Sequence, residues 1–353
     1  MSKKKKVLVT GCAGFIGSHL VETCIREGHL VYGIDNLSRR GTTHNLDVLQ
    51  NLTNQSLVFS QFDLLDIESL ETFFDSHGPF DWIAHEAGQV AVTTSLISPL
   101  SDFKSNAQST LLLLEAVRRK SPNSKLLFAS TNKVYGDLKN LEIIEGESRY
   151  SFANQSTGIT ENQPLDFHSP YGCSKGSADQ YVCDYAKSFG LKTVALRQSC
   201  IYGTRQFGLE DQGWVAWFLI ATALGKPITI YGNGKQVRDL LWIDDLCDLY
   251  LKIWEMDNFA WGTALNVGGG MQNTLSLLEL FDLMDQLKIS FGKQTFAEWR
   301  KGDQKIFCSD NSRALSQLGW SPSVGTKEGI ERLWSWIQKN LTEIKLLLNS
   351  SAH

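Results

Sequence analysis

Tyr171-Gly-Cys-Ser-Lys175 sets a phenol and an ammonium four residues apart, a spacing that lays both on one face of a helix. A cation beside a tyrosine favours the phenolate and draws its pKa down from about 10, which makes the phenol a usable general base. A second pattern, Gly11-Cys-Ala-Gly14-Phe15-Ile16-Gly17, follows the apolar run 7–10. Glycines there let the backbone turn tightly and approach a pyrophosphate, whose charge is held by free N–H groups at a helix N-terminus. The next apolar run ends at Asp35, 18 residues past Gly17. A carboxylate at that place accepts from the ribose hydroxyls of adenosine and repels a 2′-phosphate, so the spacing predicts NAD rather than NADP. Arg39 and Arg40 are the nearby cations, either solvated loop charges or neighbours of the cofactor.

These groups need a scaffold. Apolar runs at 7–10, 30–35, 57–62, 82–85, 125–130 and 193–197 read as buried strands, and 16–27, 67–76, 105–120 and 172–189 have the length and apolar spacing of helices between them. That alternation predicts an α/β fold, a Rossmann-type doubly wound parallel sheet. After Arg197 the pattern changes to glycine-punctuated loops, a helix at 214–224 and a short strand at 228–231, the outline of a smaller α/β lobe. The expected division gives residues 1–198 with about 236–270 to the dinucleotide-binding domain, and 199–235 with about 271–345 to a substrate-binding lobe. Amphipathic helices are expected at 275–287 and 329–341.

The Gly-x-x-Gly-x-x-Gly spacing and the Tyr-x-x-x-Lys pair together resemble the extended branch of the short-chain dehydrogenase/reductase superfamily. The resemblance implies that Gly11, Gly14, Phe15, Ile16, Gly17, Asp35, Asn36, Ser38 and Arg39 hold the cofactor. It implies the same for the adenine-clasping pair Asp63-Leu64, for Ala87 and Gln89 of His85-Glu-Ala-Gly-Gln89, for Asn106, and for Tyr171 and Lys175. His85 also reads as a satisfied core histidine, and Asn106 as a helix pin. Family members carry a serine or threonine before Val-Tyr-Gly, which makes Thr131 the third catalytic member with Ser130 as the alternative, while Tyr135 lacks a helical lysine partner. Members that dehydrate sugars carry Asp-Glu where this chain has Asn132-Lys133. An amide and an ammonium are no acid and base pair for eliminating water, so a dehydratase is disfavoured.

Longer stretches, among them 87–95, 130–138, 165–176, 205–207, 211–215 and 232–239, resemble the CDP-deoxyhexose 2-epimerases of that branch from about 6 to 338. This implies a bound NAD and inversion at C2 of a nucleotide-linked sugar, with substrate held by Thr131, Trp214, Val215, Tyr231, Gln236, Arg238 and Arg300. A 4-epimerase, a 2-epimerase for a GDP- or UDP-hexose, and a noncatalytic NAD-binding sensor are the competing readings; Tyr171 and Lys175 speak against the last. Trp214 equally fits an apolar core, and Asp239, Asp244 and Asp245 read as ion-pairing or capping residues. Residues 137–170 form a long polar insertion, a lid or a surface excursion, with an Asn/Gln/Ser-rich middle at 150–163.

Composition bounds the rest. The 353 residues carry 34 Lys and Arg against 38 Asp and Glu, net -4, which gives no footprint for nucleic acid or an anionic membrane. Seven scattered cysteines show no metal spacing and read as reduced thiols, and the Lys3–Lys6 run precedes too short an apolar stretch for a signal peptide. A cytoplasmic protein without metal is expected. The family resemblance implies a homodimer or homotetramer, with helix 105–120 and its Leu111–Leu114 run as a candidate interface; the same leucines also fit a sheet-facing core.

Overall fold

The computed structural model describes residues 4–52, 56–154, 157–208, 210, 212–300 and 302–349. Lys3 of the lysine run, residues 155–156 of the polar insertion, Asp211 and Lys301 lie outside the described residues. The chain divides into two compact units, one of residues 1–131, 169–197 and 247–265, the other of 132–168, 198–246 and 266–353.

The first unit begins with β1 (Lys6–Thr10), α1 (Phe15–Arg26), β2 (Leu30–Asp35), α2 (Thr42–Leu52), β3 (Leu57–Gln61), α3 (Ile67–His77) and β4 (Trp82–His85). It continues through α4 (Val92–Ile97), α5 (Pro99–Phe103), a π turn (Lys104–Gln108), α6 (Ser109–Lys120) and β5 (Lys125–Thr131). The chain then enters the second unit with the hairpin β6 (Ile143–Glu145) and β7 (Tyr150–Phe152), and returns with α7 (Ser169–Phe189) and β8 (Lys192–Gln198). Next come β9 (Cys200–Tyr202), α8 (Trp214–Ala223), β10 (Ile228–Tyr231), β11 (Val237–Trp242), α9 (Ile243–Glu255) and β12 (Thr263–Val267). The last elements are β13 (Thr274–Ser276), α10 (Leu277–Gln286), β14 (Gln294–Ala297), β15 (Ile306–Phe307), α11 (Ser312–Leu318), α12 (Thr326–Lys339) and α13 (Leu341–Asn349).

Seven strands form the first unit's sheet in the order β12-β8-β5-β4-β1-β2-β3, and the pairings from β5 to β3 are parallel. This is the Rossmann-type sheet. Strand order reverses between β1 and β4, and ligands of open α/β sheets bind at such a reversal, beyond the carboxyl ends of the strands. Near-continuous apolar strands follow from burial on both faces: Leu8, Ile83, Leu126 and Phe128 are fully buried, packed with Phe74 of α3, Leu113, Leu114 and Val117 of α6, and Val182 of α7. Leu113 and Leu114 are thus core residues of their own unit, as the sheet-facing reading had it, and do not form an outer interface.

In the second unit β11 is the organising strand. It pairs antiparallel with β13 and parallel with β15 at its start, and parallel with β9 from Leu240 to Trp242. The sequence division assigned 236–246 to the dinucleotide-binding domain; those three pairings hold it in the other unit. Residues 132–168 differ in the same way. Tyr150 packs with Val237 and Ile306, and Ile159, fully buried, donates its N–H to the Cys308 carbonyl at 2.7 Å while its own carbonyl accepts from Asp310. The described part of the insertion is therefore stitched into the second unit rather than being a surface excursion. Of the aspartates expected to pair or cap, Asp239 accepts N–H groups of Ser309 and Gly270, and Asp245 those of Ser323 and Val324. None of the seven cysteines is in a disulfide. No helix among the described residues is long and apolar enough to cross a membrane.

Candidate functional site

At the end of β1, Gly11 takes φ +68° and its N–H donates to the Ile34 carbonyl at 2.7 Å. A Cβ there would sit 2.7 Å from the Ala87 nitrogen, so the loops after β1 and β4 touch only because this residue is glycine. Gly14 caps α1 in extended conformation with no side-chain cap, which leaves the helix's first N–H groups for an anion. Gly17 packs on Gly11, where a Cβ would lie 2.8 Å from its carbonyl carbon. Phe15 and Ile16 open the helix, with Phe15 edge-on to His19.

Asp35 ends β2 as read from spacing. One carboxylate oxygen accepts from Ala13 N–H at 3.0 Å and the other from Leu37 N–H at 2.8 Å, while burial pushes its pKa up. Next to it, Asn36 donates to Asp63 at 2.8 Å and accepts from the Ser38 N–H and hydroxyl, and Leu64 is buried. Asn36, Ser38, Asp63 and Leu64 therefore meet at the carboxyl end of β2 and β3. Arg39 follows in the same loop and acts electrostatically on both Asp35 and Tyr171.

The carboxyl end of β4 is wired by hydrogen bonds. Thr110 donates to the Asn106 carbonyl at 2.5 Å, so it accepts from His85 Nε2 at 2.9 Å, and His85 Nδ1 accepts from the Thr10 hydroxyl at 2.8 Å. His85 is fully buried and its pKa is lowered to about 3 by burial and by Lys175. It is a neutral strut, the satisfied histidine of the sequence reading. Asn106, in the π turn, accepts from Gln89 N–H at 2.9 Å and donates to Asp102 and Ser174. Gln89 in turn donates to Asp102 at 2.9 Å, and Ala87 N–H reaches Thr10 at 3.3 Å.

Tyr171 and Lys175 share the first turns of α7 and are buried, 7% and 3% exposed, with Thr131 at 6% on the end of β5. The Thr131 and Tyr171 hydroxyls hydrogen-bond to one another. Lys175 donates to the Ala129 carbonyl at 2.7 Å and lies 4.6 Å over the Phe128 ring. Ser130 turns the other way, donating to Asp179 at 2.7 Å, which separates it from this group. The electrostatics differ from the simple spacing argument. Burial pushes Tyr171 up to about 12 against the Thr131 hydrogen bond, and burial brings Lys175 down to about 8. The ammonium is committed to Ala129 and to the Glu86 and Asp102 charges rather than to the phenol, so the chain alone keeps Tyr171 protonated at neutral pH.

The second unit gathers the other named residues. Trp214 starts α8 and donates to Cys200 Sγ at 3.0 Å, and Val215 is buried. Gln236 donates to the Tyr231 carbonyl at 2.7 Å, while its buried Oε1 has no partner among the described residues. Arg238 donates to the Val237 and Gln304 carbonyls and lies 3.6 Å from Asp303, whose same oxygen is 4.0 Å from Lys133. Arg300 stacks 3.7 Å over the Tyr231 ring. Glu210 and Gln304 join this cluster although nothing in local spacing names them: Glu210 lies 90 residues from Arg300, and only the fold joins the two. Among the described residues no His, Cys, Asp and Glu group is arranged to hold a metal.

The family model described as GDP-mannose 4,6 dehydratase matches residues 8–333. The CDP-paratose 2-epimerase of Salmonella typhi is 43% identical over 336 residues, 94% of this chain and 98% of the relative. Among solved structures, the UDP-glucose 4-epimerase of Thermotoga maritima with UDP-glucose superposes with a TM-score of 0.80 at 31% identity over 95% of this chain and 99% of that one. The UDP-glucuronic acid 4-epimerase of Bacillus cereus, in complex with UDP-glucuronic acid and NAD, gives 0.81 at 28% identity over the same shares. A strand order that reverses beside the glycine turn, a buried Tyr171, Lys175 and Thr131, and a match over nearly the whole length lead to one conclusion: the chain belongs to the GDP-mannose 4,6 dehydratase family.

Proposed function

We propose that the protein is an NAD-dependent nucleotide-sugar epimerase of the CDP-paratose 2-epimerase type, an isomerase that inverts C2 of a CDP-linked deoxyhexose. The observation that carries the reading is the buried Thr131, Tyr171 and Lys175 group on a chain that holds Asn132-Lys133, no acid and base pair for dehydration, immediately after Thr131. The identity to the Salmonella typhi enzyme supports C2 and the cytidine nucleotide. A 4-epimerase is the second reading, favoured by the two solved relatives named above. A part in lipopolysaccharide O-antigen synthesis fits an enzyme like the Salmonella typhi relative, and a place in the cytoplasm belongs to the same proposal.

The chain's own groups fit NAD. Gly11 and Gly17 leave no room for a Cβ, so the turn from β1 into α1 is packed tightly by backbone alone; the uncapped N-terminus of α1 would meet the pyrophosphate, and Asp35 would accept from the adenosine ribose. Phe15, Ile16, Asn36, Ser38, Arg39, Asp63, Leu64, Ala87, Gln89 and Asn106 would hold the rest of the cofactor, and Lys175 would hold its nicotinamide ribose. The C2 hydrogen of such a sugar has no neighbouring carbonyl, and direct deprotonation is prohibitively slow. Bound NAD supplies a hydride acceptor and then donor, so C2 passes through a 2-keto sugar with no net redox change. With the positive charge of bound NAD lowering its pKa from the value the chain alone imposes, Tyr171 would take the C2 hydroxyl proton and return it, and Thr131 would orient the phenol through their shared hydrogen bond. Trp214, Val215, Tyr231, Gln236, Arg238 and Arg300 hold the nucleotide.

The test is to incubate the purified protein, without added cofactor, with CDP-, UDP- and GDP-sugars in deuterated water and to follow C2 and C4 proton signals by NMR. Inversion at C2 with no deuterium at carbon is expected. Inversion at C4 alone refutes the 2-epimerase reading, and deuterium at the inverted carbon refutes direct hydride return.

A homodimer fits the surface of the first unit. Ile97 is 85% exposed and Leu100 78%, with Phe103 and Tyr181 exposed nearby in sequence and on α7. Exposed apolar side chains on helices that pack on one another, α4 and α5 against α7, are normally covered. The variant Ile97→Asp/Leu100→Asp is expected to halve the mass measured by light scattering after gel filtration, and an unchanged mass would place the interface, or a tetramer, elsewhere.

A further inference from the structure

The geometry points to Glu210 as the residue that reads the pyrimidine of the bound nucleotide and selects cytosine over uracil. The inference rests on the nucleotide-sugar reading above and adds a base-specificity residue to it.

Three side chains of the second unit meet. The Arg300 guanidinium carbon lies 3.7 Å from the centre of the Tyr231 ring, at stacking distance. The Tyr231 hydroxyl donates to Glu210 Oε1 at 3.0 Å, and one guanidinium nitrogen sits 3.8 Å from that same oxygen while another donates to the Glu210 carbonyl at 3.0 Å. A planar group bearing N–H donors thus rests on an aromatic face with its donor edge toward a carboxylate. The C4 edge of cytosine has the same character: a flat ring at stacking distance with an amine pointing outward. Uracil presents a carbonyl at that atom. Glu210, half-exposed at 42%, is an acceptor-only group when ionised, so it pairs with the cytosine amine and repels the uracil oxygen.

The surroundings fit the rest of a nucleoside diphosphate. The loop that carries Arg300 turns back at once, Asp303 N–H donating to the Arg300 carbonyl at 3.3 Å, and brings Asp303 beside both Arg238 and Lys133. Arg238 and Lys133, gathered at one carboxylate oxygen, are two cations suited to a diphosphate. On binding, cytosine takes the guanidinium's place on Tyr231, and Arg300 turns toward the phosphates three residues along its own loop.

Isothermal titration of the full chain with CDP and with UDP tests this. Wild type is expected to bind CDP about tenfold to a hundredfold more tightly than UDP, the span that one discriminating base contact provides. Glu210→Gln should bring the two within about threefold, chiefly through tighter UDP binding, because the amide can turn its N–H₂ to the uracil oxygen. Glu210→Ala should also lose the preference. A preference that persists in both variants overturns the role of Glu210 and leaves the CDP-sugar reading standing. Equal binding by wild type, or preference for UDP, overturns both. A parallel loss of both affinities in both variants means that Glu210 only holds the loop together, and overturns the inference as well.

Discussion

Replacing Tyr171 by phenylalanine is expected to lower kcat about 10²- to 10⁴-fold, the usual contribution of a positioned acid and base, with the thermal midpoint and bound NAD unchanged. The ring is packed into α7 and only 7% exposed, so removing one oxygen leaves its packing intact while deleting the proton carrier. Absorbance of the retained cofactor and NMR-detected turnover, measured on the same preparation, separate the two effects. Lys175→Met should behave differently, losing cofactor as well as rate, because in the proposed reading the ammonium, held by Ala129 and by the Glu86 and Asp102 charges, is the ribose contact. A Tyr171→Phe enzyme with more than a tenth of the wild-type turnover would remove Tyr171 from the chemistry and leave Thr131 or a group outside the named set.

That expectation was legible in the sequence because the features behind it are local. A Gly-x-x-Gly-x-x-Gly turn, a carboxylate at a strand end and a Tyr-x-x-x-Lys helix face each fit within one supersecondary unit, where spacing fixes geometry. What tunes them is not local. Asp102 reaches Ser174 across 72 residues and Gln89 across 13, and the carboxylate held there acts electrostatically on Lys175. Spacing alone therefore gave Tyr171 a lowered pKa, whereas burial raises it. The run 237–253 reads as a strand-like start followed by a helix, but its residues do not say which sheet receives the strand; β11 forms over Val237–Trp242, and partners at 200–202, 274–276 and 306–307 take it into the second unit. The helix read as continuous over 105–120 is interrupted by a π turn at Asn106, and one-turn π bulges of this kind gather at functional sites. Glu210 and Gln304 were invisible for the same reason as Asp102: their partners are brought by topology and not by sequence neighbours.

Asp179→Ala is expected to destabilise the protein by about 3–5 kcal/mol, the cost of stranding one member of a buried ion pair. Asp179 is fully buried on α7 and takes Arg197 of β8 in a two-pronged contact, Nε at 3.0 Å and a terminal nitrogen at 2.9 Å, while the Ser130 hydroxyl donates to it at 2.7 Å. Without the carboxylate the Arg197 guanidinium loses its paired charge at 6% side-chain exposure, with little water to replace it. For a domain of this size each kcal/mol moves the melting midpoint by about 2–4 °C, so a fall of about 6–20 °C should appear in a thermal scan. Removing both charges is the sharper test. Asp179→Leu with Arg197→Met leaves an apolar pair of similar volume and should recover most of the loss, since the desolvation cost of the ions disappears together with their attraction. Recovery of stability need not restore rate. Ser130 precedes Thr131, and Asp179 lies two helical turns beyond Tyr171, so this ion pair fixes the end of β5 against α7 and with it the hydrogen bond between the two reacting hydroxyls. The double variant should therefore melt near wild type yet turn over more slowly. A double variant that regains both would reduce Asp179 and Arg197 to packing and leave the Thr131–Tyr171 alignment to the sheet alone.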